Sequence, residues 1–148
     1  MRVVFGSDHA GFPLKKTLVD YVVALGHEVS DVGSYDIKPV DFPDIAKALA
    51  AKILAGEADR GMMVCGTGVG AAIAANKIKG IRAAVCHDVY SAHQSVEHDD
   101  VNVMCVGAQI IGPILACDLI AAFLAARFSS APEFRRRVAK LAMLEDKA

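Results

Sequence analysis

Five short runs rich in β-branched and apolar residues recur along the chain, each followed by a segment long enough for a helix. The runs are Val3-Val4-Phe5, His27 to Val32, Gly61 to Cys65, Ile81 to Val85 and Val101 to Val106. Helical patterns start at about Pro13, where Leu14, Leu18, Val22 and Leu25 share a face, and run from Asp41 to about Gly56. Others follow the glycine run at Gly66 and span Tyr90 to Glu97, Pro113 to Phe128 and Glu133 to Leu144. Short apolar strands separated by helices predict a parallel sheet of five strands, covered by helices on both faces. Pro13 suits a first helical turn, where its missing amide costs nothing. Such a sheet binds its ligand at the carboxyl ends of its strands.

Several reactive side chains fall at those ends: Asp8 and His9 after the first run, Cys65 after the third, Cys86 and His87 after the fourth. Cys65 directly precedes Gly66-Thr67-Gly68-Val69-Gly70. A strand-end cysteine reads in two ways. It is a small buried hydrophobe, or a thiolate stabilised by the adjacent loop and helix start. The glycines let backbone amides approach negative charge closely, as an oxyanion site requires. Thr67 either caps the next helix or turns its hydroxyl to a substrate oxygen. Asp8 either caps a turn or points with His9 into the same crevice. His98, ahead of the fifth run, is a surface helix residue or an imidazole suited to proton transfer near neutrality. Arg135, Arg136 and Arg137 form a solvated face, or supply one or two guanidinium groups to a phosphate. Asp8, His9, Cys65, His87, His93 and His98 contain no CxxC or HExxH spacing, and no metal is expected. The main rival is a dinucleotide site, since Gly66 to Ala71 fits GxGxxA and Asp88 stands after the next strand. Against it, the loop follows the third strand rather than the first, and such a site has no use for Cys65.

At 148 residues the chain is expected to form one domain, 1–148, without linker or repeat. Aromatic residues are only 6% and Trp is absent, so the core must come from Val, Ile, Leu, Ala and Met. A net charge of -1 argues against nucleic-acid and membrane-surface partners. Cys65, Cys86, Cys105 and Cys117 show no close pairing and no leader pattern follows Met1, so a reduced, cytoplasmic protein is expected. The apolar stretch from Ile110 to Ala126 is interrupted by Gly112-Pro113 and Asp118, and reads as a buried or interface helix. Its Ala and Leu content hints at a partner subunit.

The chain resembles the ribose-5-phosphate isomerase B family, which includes galactose-6-phosphate and allose-6-phosphate isomerases. The resemblance rests on Gly6 to Gly11, Cys65 to Gly70, Ala74 to Lys77, Gly80 to Ala84 and His98 to Val103, in order over essentially the whole length. It implies a Rossmann-like three-layer α/β/α sandwich and a homodimer, sometimes further assembled to a tetramer, with active sites at the subunit interface. The C-terminal helices are expected to pack on the partner. It further implies interconversion of aldose and ketose phosphates through a cis-enediolate, without metal or cofactor. Cys65 would be the base, and the amides of Gly66, Gly68, Val69 and Gly70 would hold the enediolate. Thr67 would move hydroxyl protons. His98 would open the furanose ring, and Asp8 and His9 would bind ring and hydroxyl oxygens. Arg137 would bind phosphate. Three positions depart from the pattern: Asp99 replaces an asparagine, while Gln109 and Glu133 replace arginines. Arg135, Arg136 or His9 would have to compensate at the phosphate, and Asp99 would have to bind hydroxyls. Ribose 5-phosphate is the first expected substrate, with a four-carbon phosphate such as erythrose 4-phosphate, or a six-carbon one, as alternatives. A nicotinamide-dependent oxidoreductase and a non-catalytic sugar-phosphate-binding domain are the other classes weighed.

Overall fold

The computed structural model describes residues 1–145. Its strands are β1 (Arg2–Ser7), β2 (Glu28–Asp31), β3 (Arg60–Cys65), β4 (Ala83–Val85) and β5 (Val103–Gly107). They alternate with helices α1 (Phe12–Ala24), α2 (Phe42–Leu54), α3 (Val69–Ala75) and α4 (Val89–Asp99), while α5 (Pro113–Ala125) and α6 (Pro132–Glu145) follow β5. The sheet runs in the order β2-β1-β3-β5-β4, with every neighbouring pair parallel. Because the chain leaves β1 toward β2 and returns to β3, the strand order reverses between β1 and β3. Ligands of open α/β sheets bind at such a reversal.

Strand alternation sorts the core into two layers. Phe5, Met62, Val64, Met104 and Val106 face Leu18 of α1, Val96 of α4 and Phe123 of α5. Val4, Met63, Cys65, Val103 and Cys105 face Leu49 of α2 and the alanines of α3. Each fully buried large side chain contributes about 1.5–3 kcal/mol of transfer free energy, so the expected α/β/α sandwich is held from both faces.

Four boundaries or faces differ from the sequence reading. Strand β4 starts at Ala83 rather than Ile81, because the Arg82 carbonyl accepts the amides of both Asn102 and Val103. Val101 belongs to the turn after α4, its amide donating to the Ser95 carbonyl. The fifth helix stops at Ala125 rather than Phe128, where the Arg60 guanidinium takes the carbonyls of Phe123 and Ala126. On α1, Leu25 caps the helix and is exposed, whereas Lys15 is buried, its Nζ on Asp31 Oδ1 at 2.7 Å and the Ser34 carbonyl at 2.5 Å. Helix α6 buries no residue, leaving Leu141, Met143 and Leu144 exposed. None of the described helices is long and apolar enough to cross a membrane.

Candidate active site

At the carboxyl end of β1 the chain turns sharply into α1. The Asp8 amide donates to the Val64 carbonyl at 3.2 Å, extending the β1–β3 ladder by one rung. Asp8 Oδ1 accepts the Gly11 amide at 2.8 Å, so the turn-capping reading of Asp8 holds for that oxygen. The turn lies so close to β3 that a side chain on Gly11 would begin 2.0 Å from the Val64 carbonyl oxygen. Asp8 and His9 are thereby carried to the end of the strand that bears Cys65. His9 Nδ1 accepts the Val40 amide at 3.3 Å. That bond leaves the proton on Nε2, so His9 can offer a donor to a bound oxygen.

Cys65, 7% exposed, closes β3 on the α2–α3 layer, opposite Gly107 of β5 in register. The Cys65 carbonyl accepts the Ala108 amide at 2.8 Å and the Gly66 carbonyl accepts the Gln109 amide at 3.0 Å. The loop is therefore tied to β5 by its carbonyls. Its amides at Gly66, Thr67 and Gly68 donate to no hydrogen bond among the described residues. Three free amides beside a thiol form a donor set for an anionic oxygen. Gly68, at φ +82°, makes the left-handed turn into α3. The Thr67 hydroxyl gives only a long 3.4 Å contact to the Val69 amide, so its capping role is slight. Val69 is half exposed, and Gly70 packs against the Phe42 ring so closely that a Cβ would lie 2.9 Å from it.

The other cysteines serve the interior. Burial pushes the Cys105 thiol far up, with Cys65 and Cys86 adding to it. Burial likewise raises Cys86, against a hydrogen bond with Ser95, and raises Cys117. Cys86 lies in the core beneath α4 rather than in the crevice. His87 does reach the strand ends, its Nε2 accepting the Gly107 amide at 2.9 Å. Asp88, the acid a dinucleotide site would need, caps α4 by accepting the Ser91 amide at 2.7 Å.

The remaining expected residues stand at the opposite edge of the sheet. Helix α4 runs back from β4 to the start of β5, so His98 and Asp99 end it beside the amino ends of the strands. Asp99 lines a surface depression there with Arg82, Ala83, Leu141 and Glu145. The His98 ring stacks on Phe134 of α6 at 4.0 Å and 14°. Arg137 lies over the same Phe134 ring, with its guanidinium 5.6 Å from the centroid. Arg135 covers Phe128 at 4.8 Å. Arg136 and Glu133 are exposed. Cys65 and His98 are thus separated by the length of the sheet, on the order of 15 Å. Phe134, which binds the second group together, carries no sequence signal beyond being an aromatic in a charged helix. Gln109 is exposed after β5, its Oε1 lying 3.1 Å from where a Gly66 side chain would start. Among the described residues no three His, Cys, Asp or Glu side chains converge as a metal site would require.

The model of the family described as Ribose/Galactose Isomerase matches residues 3–141. The chain belongs to that family. It is similar to ribose-5-phosphate isomerase B of Escherichia coli K12, at 40% identity covering 99% of this chain and 97% of the relative. It is also similar to D-erythrulose-4-phosphate isomerase of Pectobacterium atrosepticum, at 42% identity covering 92% of each. The structure of ribose-5-phosphate isomerase B from Clostridium thermocellum superposes with a TM-score of 0.97 at 41% identity, covering 99% of both chains. The sheet and its reversal point are therefore those of an isomerase fold, and the Rossmann-like expectation holds. Within the family, relatives of nearly equal similarity carry names for five-carbon and four-carbon sugars.

Proposed function

We propose that this chain interconverts an aldose phosphate and its ketose by moving one proton between C1 and C2, with ribose 5-phosphate as the leading substrate. One observation carries the proposal: Cys65 stands at a strand end beside three free loop amides and against the Asp8–Gly11 turn. A carbon acid is weak, so the rate must come from a placed base and from donors that hold the enediolate. Cys65 takes the proton, and the amides of the Gly66 to Gly70 loop hold the oxygen charge that develops. Thr67 passes protons between hydroxyls. Asp8 and His9 hold ring and hydroxyl oxygens, His9 through its Nε2–H.

Ring opening and phosphate binding need His98, Arg137 and the neighbouring arginines, and these lie a sheet length away. A second copy of the chain supplies them, in a homodimer whose sites lie between subunits. Two surfaces support this reading. Helix α6 leaves Leu141, Met143 and Leu144 exposed. A groove of about 740 Å³ between α2 and α3 is lined by Phe42, Leu54, Ile73 and Ile78, and reaches Gly70 of the catalytic loop.

A four-carbon phosphate is the second reading. Gln109 sits on the Gly66 turn and Glu133 stands free on α6, where the family pattern has arginines. A shorter sugar draws its phosphate inward, away from positions 109 and 133. Phosphate bound chiefly by those two residues would contradict it. NMR in D2O with ribose 5-phosphate, erythrose 4-phosphate and six-carbon aldose phosphates, each supplied separately, tests both readings. Ketose formation with deuterium entering at C1 of the ketose, and at C2 of aldose re-formed from it, is expected, and the fastest sugar assigns the substrate. No exchange with any of them would refute the isomerase reading.

A further inference from the structure

His87 lies where the β4–β5 ladder has run out. Cys86 donates its amide to the Cys105 carbonyl at 3.2 Å, and the next inward-facing amide of β5 on that side belongs to Gly107. Strand β4 has already ended at Val85, so no main-chain carbonyl of that strand meets it. The His87 ring takes its place, with Nε2 accepting at 2.9 Å. An imidazole used as an acceptor at Nε2 is neutral, with its proton on Nδ1.

Gly107 occupies a position from which small movements propagate. It pairs in register with Cys65 across β3 and β5. Its α-carbon is pressed on the catalytic turn, and a Cβ there would lie 2.7 Å from both the Cα and the carbonyl carbon of Thr67. The following residues, Ala108 and Gln109, donate their amides to the carbonyls of Cys65 and Gly66. A shift of Gly107 therefore shifts the Cys65 to Thr67 turn as well.

We infer that His87 is a positioning residue of the isomerase: through its Nε2 it latches Gly107 and so holds the Cys65–Thr67 turn in its reactive geometry. The inference rests on the reading of that turn as the proton-transfer site. His87→Leu removes the acceptor, whereas His87→Gln keeps an oxygen at nearly the same reach. Displacement of a reacting group by about 1 Å costs ~100-fold, so His87→Leu is expected to lower kcat by roughly 10- to 100-fold with KM changed by less than about three-fold. His87→Gln is expected to recover most of that loss. Amide hydrogen exchange at Gly107, read by NMR, should accelerate in His87→Leu and stay slow in His87→Gln. If His87→Leu does not fold, His87→Asn, one bond shorter than Gln, leaves the acceptor out of reach and is scored in the same way. An unchanged kcat in His87→Leu, or a His87→Gln enzyme as slow as His87→Leu, overturns the inference. A wild-type protein inert toward every sugar phosphate defeats the isomerase reading instead, and Gly107 exchange then still decides whether the latch exists.

Discussion

Gly11 shows how much of the site depends on what a single residue lacks. A Cβ at that position would lie 2.0 Å from the Val64 carbonyl oxygen and 2.7 Å from the Cys65 amide nitrogen, both parts of β3's backbone. Neither atom can move without dislodging the strand that carries Cys65. Gly26, by contrast, needs a glycine only for its φ of +84°, with no atom within 4 Å of a would-be Cβ. Gly11→Ala is therefore expected to cost more than about 3 kcal/mol, in the range reserved for core strain. Gly26→Ala should cost about 1 kcal/mol, the penalty of a left-handed non-glycine residue. Urea unfolding midpoints of the two variants check the contrast, and equal losses would contradict it. The same turn occupies one oxygen of the Asp8 carboxylate, Oδ1, in capping Gly11.

Among the elements, α4 is the one whose ends do different work. Its start is fixed by Asp88, whose carboxyl is held below its ordinary range by hydrogen bonds from the Ser91 amide and hydroxyl. A carboxyl depressed in the folded state stabilises fully above its unfolded pKa, near 4, and loses that contribution as pH falls through the lower folded value. Asp88→Ala should thus lower the melting temperature by the same amount from pH 5 to 7, and the gap to wild type should close below about pH 4. A gap that does not shrink as the pH falls through the acid range below about 4 would assign the effect to something other than the charged cap. Helices and strands were legible in the sequence because periodicity is local: apolar runs gave the strands, and Pro13, Pro43 and Pro113 sit in first turns as they should. Strand order was not legible. Insertion of β5 between β3 and β4 depends on which edges meet, and no local pattern encodes that. The burial of Lys15 escaped for a related reason, since its partners Asp31 and Ser34 come from the carboxyl end of β2 and the loop after it. Cys65, Asp8 and His9 could be placed at strand ends from spacing alone. The stacking of His98 on Phe134 and the use of His87 as a ladder acceptor could not, because both join elements through side chains distant from any motif.

Over the whole molecule the candidate groups divide into two sets at opposite edges of one sheet. Cys65, Thr67, Asp8 and His9 gather at the carboxyl ends of the strands, while His98, Arg137 and Phe134 gather near the amino ends. A site that needs both sets has to be built from two chains, and a two-fold pair of chains then holds two equivalent sites. Mixing two variants, Cys65→Ala and His98→Ala, tests this most directly. Each alone is expected to fold and to lose turnover, the first by about 10²- to 10⁴-fold, as removal of a general base does. After equal amounts exchange subunits, half the dimers are hybrids and one of the two sites in each is intact, so the mixture should regain about a quarter of wild-type activity. Activity no greater than the mean of the separate variants, with hybrids shown to form, would contradict a site shared between two copies.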